Sequence, residues 1–168
     1  MPASDVVVRP IRPEEHDRVG ELLFDAYAAV GGEPDWYLER MRETTKRAEA
    51  VPVLVAVDAE GAILGTVTYV PGPGTPYSDV EREDEGGIRA FAVAPEARGR
   101  GVGRLLVNAV IERARAEGRH GIAIFTRPRM TAAHALYDSM GFVRAPDQDE
   151  TFAPDEWLLA YRLRFDEG

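Results

Sequence analysis

Cysteine is absent from the 168-residue chain, which removes disulfides, thiolate metal sites and cysteine nucleophiles together and fits a reducing compartment. Histidine is scarce: His16, His120 and His134 are the three, and no pair of them has metal-ligand spacing, so no metal is expected. Long apolar runs are missing as well. None approaches the roughly 20 residues a membrane helix needs, so no membrane partner is expected. Met1 to Asp5 has no basic region leading into an apolar one, so no signal peptide is expected and the cytoplasm is the expected compartment. Positive charge is in deficit. Twenty Lys and Arg against 29 Asp and Glu leave a net charge of −9, which repels polyphosphate and argues against a general nucleic-acid binder. What remains is the composition of a globular protein: 45% hydrophobic and 29% charged residues exclude disorder, and the lack of a three-residue Gly period excludes collagen. The length predicts one domain over residues 1–168.

Periodicity divides the chain into alternating elements. Val6 to Val8 read as a strand that ends at Pro10, and from Pro13 a helix carries Val19, Leu22, Leu23, Ala26 and Tyr27 at helical spacing until Gly31-Gly32. A second, more polar helix is predicted from Pro34 to about Thr45. Val51 to Val57 and Ala62 to Val70 are strands joined by the turn Asp58-Ala59-Glu60-Gly61. Residues 71–76 read Pro-Gly-Pro-Gly-Thr-Pro, and Asp79 to Gly87 carries five acids and a Gly pair, so 71–86 are predicted as a loop. Ile88 to Val93 is a strand, Gly103 to Glu117 a helix closed by Gly118, and Gly121 to Phe125 another strand. Thr131 is placed to N-cap a short helix through Ser139, and a strand beginning at Phe142-Val143 is expected to pair with Trp157 to Leu163. Hairpins mixed with crossover helices imply an α+β fold.

The sharpest local signal is the segment Val93 to Leu106, in which a strand end passes through a Gly and Arg loop into an amphipathic helix. Glycines let backbone approach a ligand closely, the first N–H groups of a helix point outward, and the macrodipole puts partial positive charge there. Arg98, Arg100 and Arg104 add three cations to an otherwise acidic chain. A diphosphate is the guest that such donors share. The loop is not a P-loop, since Gly103 is followed by Arg104 and Leu105 instead of Lys and Ser or Thr. It is a poor Rossmann turn too, lacking the third Gly, and Phe125-Thr126 stands where a ribose-binding acid would be.

On these residues the chain resembles the GCN5-related N-acetyltransferases, which transfer an acetyl group from acetyl-CoA to an amine. Arg98-Gly99-Arg100-Gly101-Val102-Gly103 matches that family's pyrophosphate loop, and Phe91-Ala92-Val93 with Pro95 matches the strand before it. Ala133, Leu136, Tyr137, Gly141 and Phe142 match a later family segment, with Met130 where the family has Asn. The resemblance implies a mixed, mostly antiparallel sheet of about seven strands with helices on both faces. It also implies a bulged fourth strand splayed from the fifth in a V that holds pantetheine. Cofactor contacts are then implied for Phe91, Ala92 and Val93, and for Arg98 to Arg104.

Acyl transfer from a thioester needs a neutral amine, a polarised carbonyl and a protonated leaving thiolate. Tyr137 matches the family's tyrosine acid, and a phenol of ordinary pKa near 10 is protonated at neutral pH. For the base, Glu85 precedes the central strand where relatives carry a carboxylate acting through water, although it stands in an acidic run that also reads as a solvated loop. Tyr27, Trp36, Tyr37 and Tyr77 fall in segments that border the family's acceptor groove. Asp147, Asp149, Glu150, Asp155 and Glu156 read as a solvated connection, and His134 as a surface residue. The expected activity is direct transfer to a primary amine, small or on a protein, by a monomer or homodimer. The competing reading is a non-catalytic acyl-CoA sensor, and a nucleotide-dependent oxidoreductase is a third.

Overall fold

Valine-rich segments separated by Gly, Pro and Asp punctuation become the strands of the computed structural model, which describes residues 5–153 and 156–165. The elements in order are β1 (Val7–Pro10), a 3-10 turn (Pro13–Glu15), α1 (His16–Val30), α2 (Asp35–Met41), α3 (Thr44–Ala50), β2 (Val53–Val57), β3 (Ile63–Val70) and β4 (Glu85–Val93). There follow a second 3-10 turn (Pro95–Ala97), α4 (Val102–Ala116), β5 (Gly121–Thr126), α5 (Thr131–Ser139), β6 (Val143–Arg144), a third 3-10 turn (Pro146–Gln148), β7 (Glu150–Ala153) and β8 (Glu156–Arg164). Two compact units emerge, Met1–Tyr69 with Arg89–Val110, and Val70–Ile88 with Ile111–Gly168.

In the first unit β1 runs antiparallel to β2 and β2 to β3, and the order ends on the Arg89–Val93 part of β4. The β2–β3 turn is fixed by Asp58, whose Oδ1 accepts the amides of Glu60 at 3.0 Å and Ala62 at 2.9 Å, with Gly61 left-handed at φ +83°. Such an Asx arrangement supplies bonds a tight turn cannot make with its own backbone. Val19, Leu22, Leu23 and Tyr27 form the buried face of α1. Gly20 lies on that helix where a Cβ would stand 2.8 Å from the Arg42 carbonyl oxygen, so the backbones meet closely. That contact falls at a break. The single helix expected from Pro34 to Thr45 is two, because Arg42 and Glu43 interrupt it and Thr44 N–H bonds back to the Arg42 carbonyl at 2.8 Å. Arg47 of α3 is buried and donates to the Met41 carbonyl and the Thr44 hydroxyl.

In the second unit the start of β4 lies parallel to β5 through Glu85↔Gly121, Gly86↔Ile122 and Gly87↔Ala123. The other face-to-face neighbours there are antiparallel: β5 with β8 over six pairs, and β6 and β7 each with β8. The fold is therefore the mixed, mostly antiparallel α+β architecture expected. Three local readings are corrected. The loop predicted for 71–86 ends earlier, since β4 already begins at Glu85. Thr131 is the first residue of α5 and not its cap; Met130 holds that position without a side-chain bond. Part of the connection read as solvated forms β7. Of its acids, Asp155 lies outside the described residues.

Candidate functional site

The Gly and Arg loop expected to take an anion lies in the first unit. Ala94 N–H bonds to the Leu64 carbonyl at 2.8 Å, and the 3-10 turn after it delivers the chain to Arg98. Gly99 and Gly101 are left-handed, at φ +77° and +80°, a conformation that side chains with a Cβ rarely adopt. Gly99 would have open space for a Cβ, so its role is conformational. Val102 is buried and begins α4, whose first N–H groups have no carbonyl one turn earlier to bond. Arg98 and Arg104 are exposed beside those amides, whereas Arg100 is only partly exposed. Its Nε and Nη2 are buried without a hydrogen-bond partner, and Arg100 lines a cavity of about 470 Å³ with Glu14, Glu15, Arg18, Asp58 and Glu96.

Upstream, Ala90 interrupts the extended conformation of β4 at φ +46°, a left-handed residue inside a strand. A non-glycine residue held there stores strain, a feature that clusters at functional sites. Phe91 N–H donates to the Tyr27 hydroxyl at 3.4 Å. Tyr27 is buried, and burial pushes its phenol far above the ordinary value, so it remains protonated. Tyr27 stands 6.3 Å from the ring of Tyr37, which meets Trp36 edge-on at 5.8 Å. Trp36 is 52% exposed, with the Arg40 guanidinium over its ring. Of the aromatic candidates, Tyr27 is thus a core residue tied to β4 and Trp36 a surface one.

The second unit holds the remaining candidates. Tyr137 on α5 is 2% exposed and packs its ring against Phe142 at 5.3 Å and Tyr161 at 5.8 Å. Gly141, at φ +91°, ends the helix and lets Phe142 N–H bond back to the Tyr137 carbonyl at 3.0 Å. His134, expected at the surface, is half-buried. It stacks on Tyr161 at 5.6 Å, and its Nε2 is 2.9 Å from the Arg127 carbonyl. Met130, the cap residue before α5, has its sulfur within hydrogen-bonding distance, 3.7 Å, of the Thr126 hydroxyl. Tyr77 is half-buried and left-handed at φ +73° in the irregular segment before β4.

Glu85 is wholly buried. Its Oε1 accepts the Arg82 N–H at 2.8 Å and a hydrogen bond from Arg162 Nη1, while Oε2 lies 3.6 Å from Arg164 Nη1. Arg164 forks onto Asp84 at 2.8 and 3.0 Å and holds that carboxyl below its ordinary range. Arg119 meets both ends of the acidic segment: it donates to the Glu83 carbonyl at 2.9 Å, and a Cβ on Gly72 would stand 2.9 Å from its Nη2. Asp149, expected in a solvated run, instead receives a two-pronged Arg144 at 2.8 Å and the Ala160 N–H at 2.8 Å. Tyr161, Arg162, Arg144 and Gln148 were not among the sequence candidates. The signal that could have found Arg162 is a cation in the middle of the apolar run Leu158 to Leu163. No cluster of three metal-binding side chains occurs among the described residues, nor any helix there long and apolar enough to cross a membrane.

Comparison with known proteins bears on these candidate residues. Residues 16–142 match the sequence model of the acetyltransferase (GNAT) family. An L-methionine sulfoximine/L-methionine sulfone acetyltransferase of Pseudomonas aeruginosa is 34% identical over 98 residues, 58% of this chain and 54% of that protein. A mycothiol acetyltransferase of Pseudarthrobacter chlorophenolicus is 34% identical over 141 residues, 83% of this chain and 38% of that protein. The chain thus spans about half or less of the curated relatives it is compared with here. Among solved structures, a GCN5-related N-acetyltransferase from Kribbella flavida superposes with a TM-score of 0.73 at 23% identity, over 96% of this chain and 99% of that one.

Proposed function

The chain belongs to the acetyltransferase (GNAT) family, and from that premise we propose that it moves an acetyl group from acetyl-CoA to the primary amine of a small molecule. The observation that carries this reading is the loop with left-handed Gly99 and Gly101 opening onto the N-terminus of α4 beside exposed Arg98 and Arg104. In this reading Arg98 to Arg104 take the pyrophosphate, mainly through backbone amides, Arg98 and Arg104. Phe91, Ala92 and Val93 offer strand groups to pantetheine next to the strained Ala90.

Transfer then proceeds without a covalent enzyme intermediate. The neutral amine nitrogen attacks the thioester carbonyl, the C–S bond breaks, the departing thiolate takes a proton from the Tyr137 hydroxyl, and the nitrogen gives up one proton to solvent, from which Tyr137 is reprotonated. Tyr137 is the acid in this reading because it is the motif tyrosine and an oriented hydroxyl is the group that can supply that proton. A small acceptor is favoured by the similar Pseudomonas protein, whose name carries methionine sulfoximine and methionine sulfone, both amino acids with a primary amine. A cationic one is favoured by the exposed Asp79 and Glu83, since negative walls concentrate ammonium groups.

The test joins binding to turnover. Acetyl-CoA should raise the melting temperature of the protein by mass action, and release of free thiol should follow when members of a panel of small amines are added. Gly101→Glu, which puts bulk and charge where the backbone is left-handed, should remove the shift in a protein that still shows a cooperative melt. No shift and no thiol release with any amine overturns the reading; a shift without thiol release moves the chain to the sensor class.

A further inference from the structure

Glu85 does not sit like a base awaiting a proton. It is wholly buried, and both carboxylate oxygens face guanidinium groups. Oε1 is already occupied by the Arg82 amide and the Arg162 guanidinium. Arg162, only 8% exposed, is the other half of the arrangement. Its three nitrogens serve three separate segments: Nη1 donates to Glu85 at the start of β4, Nη2 to the Val80 carbonyl at 2.9 Å in the acidic segment, and Nε to Gln148 Oε1 in the turn before β7. Glu85 in turn accepts the amide of Arg82, and the Glu85 amide bonds to the Arg82 carbonyl at 3.0 Å. The planar fork of arginine is suited to this, whereas a lysine ammonium cannot direct donors along three fixed lines.

We infer that Arg162 is a positioning residue which, with Glu85 as its counter-charge, clamps residues 79–84 and the 146–148 turn in the arrangement that receives the amine acceptor. The inference rests on the reading above that the acceptor is an amine drawn by those acids. It assigns Glu85 to the clamp and not to proton transfer. The groups facing Glu85 are Arg162, Arg164 and the Arg82 amide, with Asp84 beyond Arg164.

Arg162→Lys and Glu85→Gln test it, with the double variant Glu85→Gln/Arg162→Met, which leaves no buried charge unpaired at this pair, in reserve should either single variant melt early. Three readouts are taken. Amide hydrogen exchange over residues 79–84 and 146–148 should speed at least tenfold in each variant while β5 and β8 keep their protection. The amine KM should rise about tenfold or more, with kcat and the acetyl-CoA thermal shift near those of the unaltered protein. The pH profile of kcat should keep its shape. The inference is overturned if Glu85→Gln removes an ionisation from that profile and abolishes kcat at unchanged KM, the signature of a base. It is equally overturned if Arg162→Lys leaves both exchange and KM untouched. If the unaltered protein acetylates no amine, the functional reading fails, and the exchange data still decide by themselves whether the clamp exists.

Discussion

A single hydroxyl separates the two roles open to Tyr137. Its ring is packed on two sides by Phe142 and Tyr161, and that packing would be kept by phenylalanine. Tyr137→Phe should therefore keep the fold and the acetyl-CoA affinity and lose roughly 10²-fold in turnover, the usual scale of a positioned acid. Steady-state kinetics beside a binding titration measure both, and equal turnover would assign the residue to packing. At this scale, sequence legibility follows contact range. The left-handed glycines at 99 and 101 and the helix start after them are local properties, and they stand where the spacing put them. Arg162 meets Glu85 across 77 positions of the chain. No local pattern encodes such a pairing, so the sequence offered Glu85 as a candidate base in an acidic run and left its burial invisible.

Among the elements, the join between β1 and α1 depends on pH in a predictable direction. Arg9 grips both carboxylate oxygens of Glu15, at 2.9 and 2.7 Å, and the Arg12 amide adds a third bond at 2.9 Å. The Arg9 hydrogen bonds are the main cause that holds the Glu15 carboxyl down at about 2. A depressed carboxyl contributes stability that is complete above its unfolded value, near 4.3, and is lost as pH falls toward 2. Arg9→Gln should thus cost about 1–2 kcal/mol at neutral pH, and the deficit should shrink between pH 5 and pH 2. Urea unfolding at stepped pH values measures it, and a deficit constant with pH would assign the loss to packing. Most elements were legible because hydrophobic spacing is strong in α1, α4, β2, β3, β5 and β8. The start of β4 was not, since Glu85, Gly86 and Gly87 have poor strand propensity. They form strand because Arg162 neutralises Glu85 and because Gly87 carries no Cβ to strike the Glu81 carboxylate. The split of α2 from α3 was equally hidden, for it is set by the approach of Gly20 to Arg42 from another helix.

Over the whole molecule a net charge of −9 must accommodate two proposed ligands of opposite sign. An anionic acetyl-CoA is repelled at long range and attracted only near Arg98 and Arg104, while a cationic amine is attracted at every distance. Salt shortens the reach of charge from about 10 Å at 0.1 M to about 3 Å at 1 M. Raising salt from 50 to 500 mM should therefore raise the amine KM several-fold and change the acetyl-CoA Kd by less than about threefold, because for the anion the two screened effects oppose each other. Parallel titrations decide it, and an equal loss for both ligands would show that the overall field does not distinguish them. The guanidinium of Arg119 has a consequence of another kind. By resting on Gly72 and bonding to the carbonyl of Glu83 it closes the segment between them at its neck. Chain added beyond a closed neck costs little, about 0.6 kcal/mol for each doubling of loop length. The stretch from Pro73 to Ser78, ahead of the residues that Arg162 and Glu85 hold, is therefore the natural graft point of this protein, where sequence could be exchanged or lengthened to recruit new acceptors while the neck and the strands behind it stay as they are.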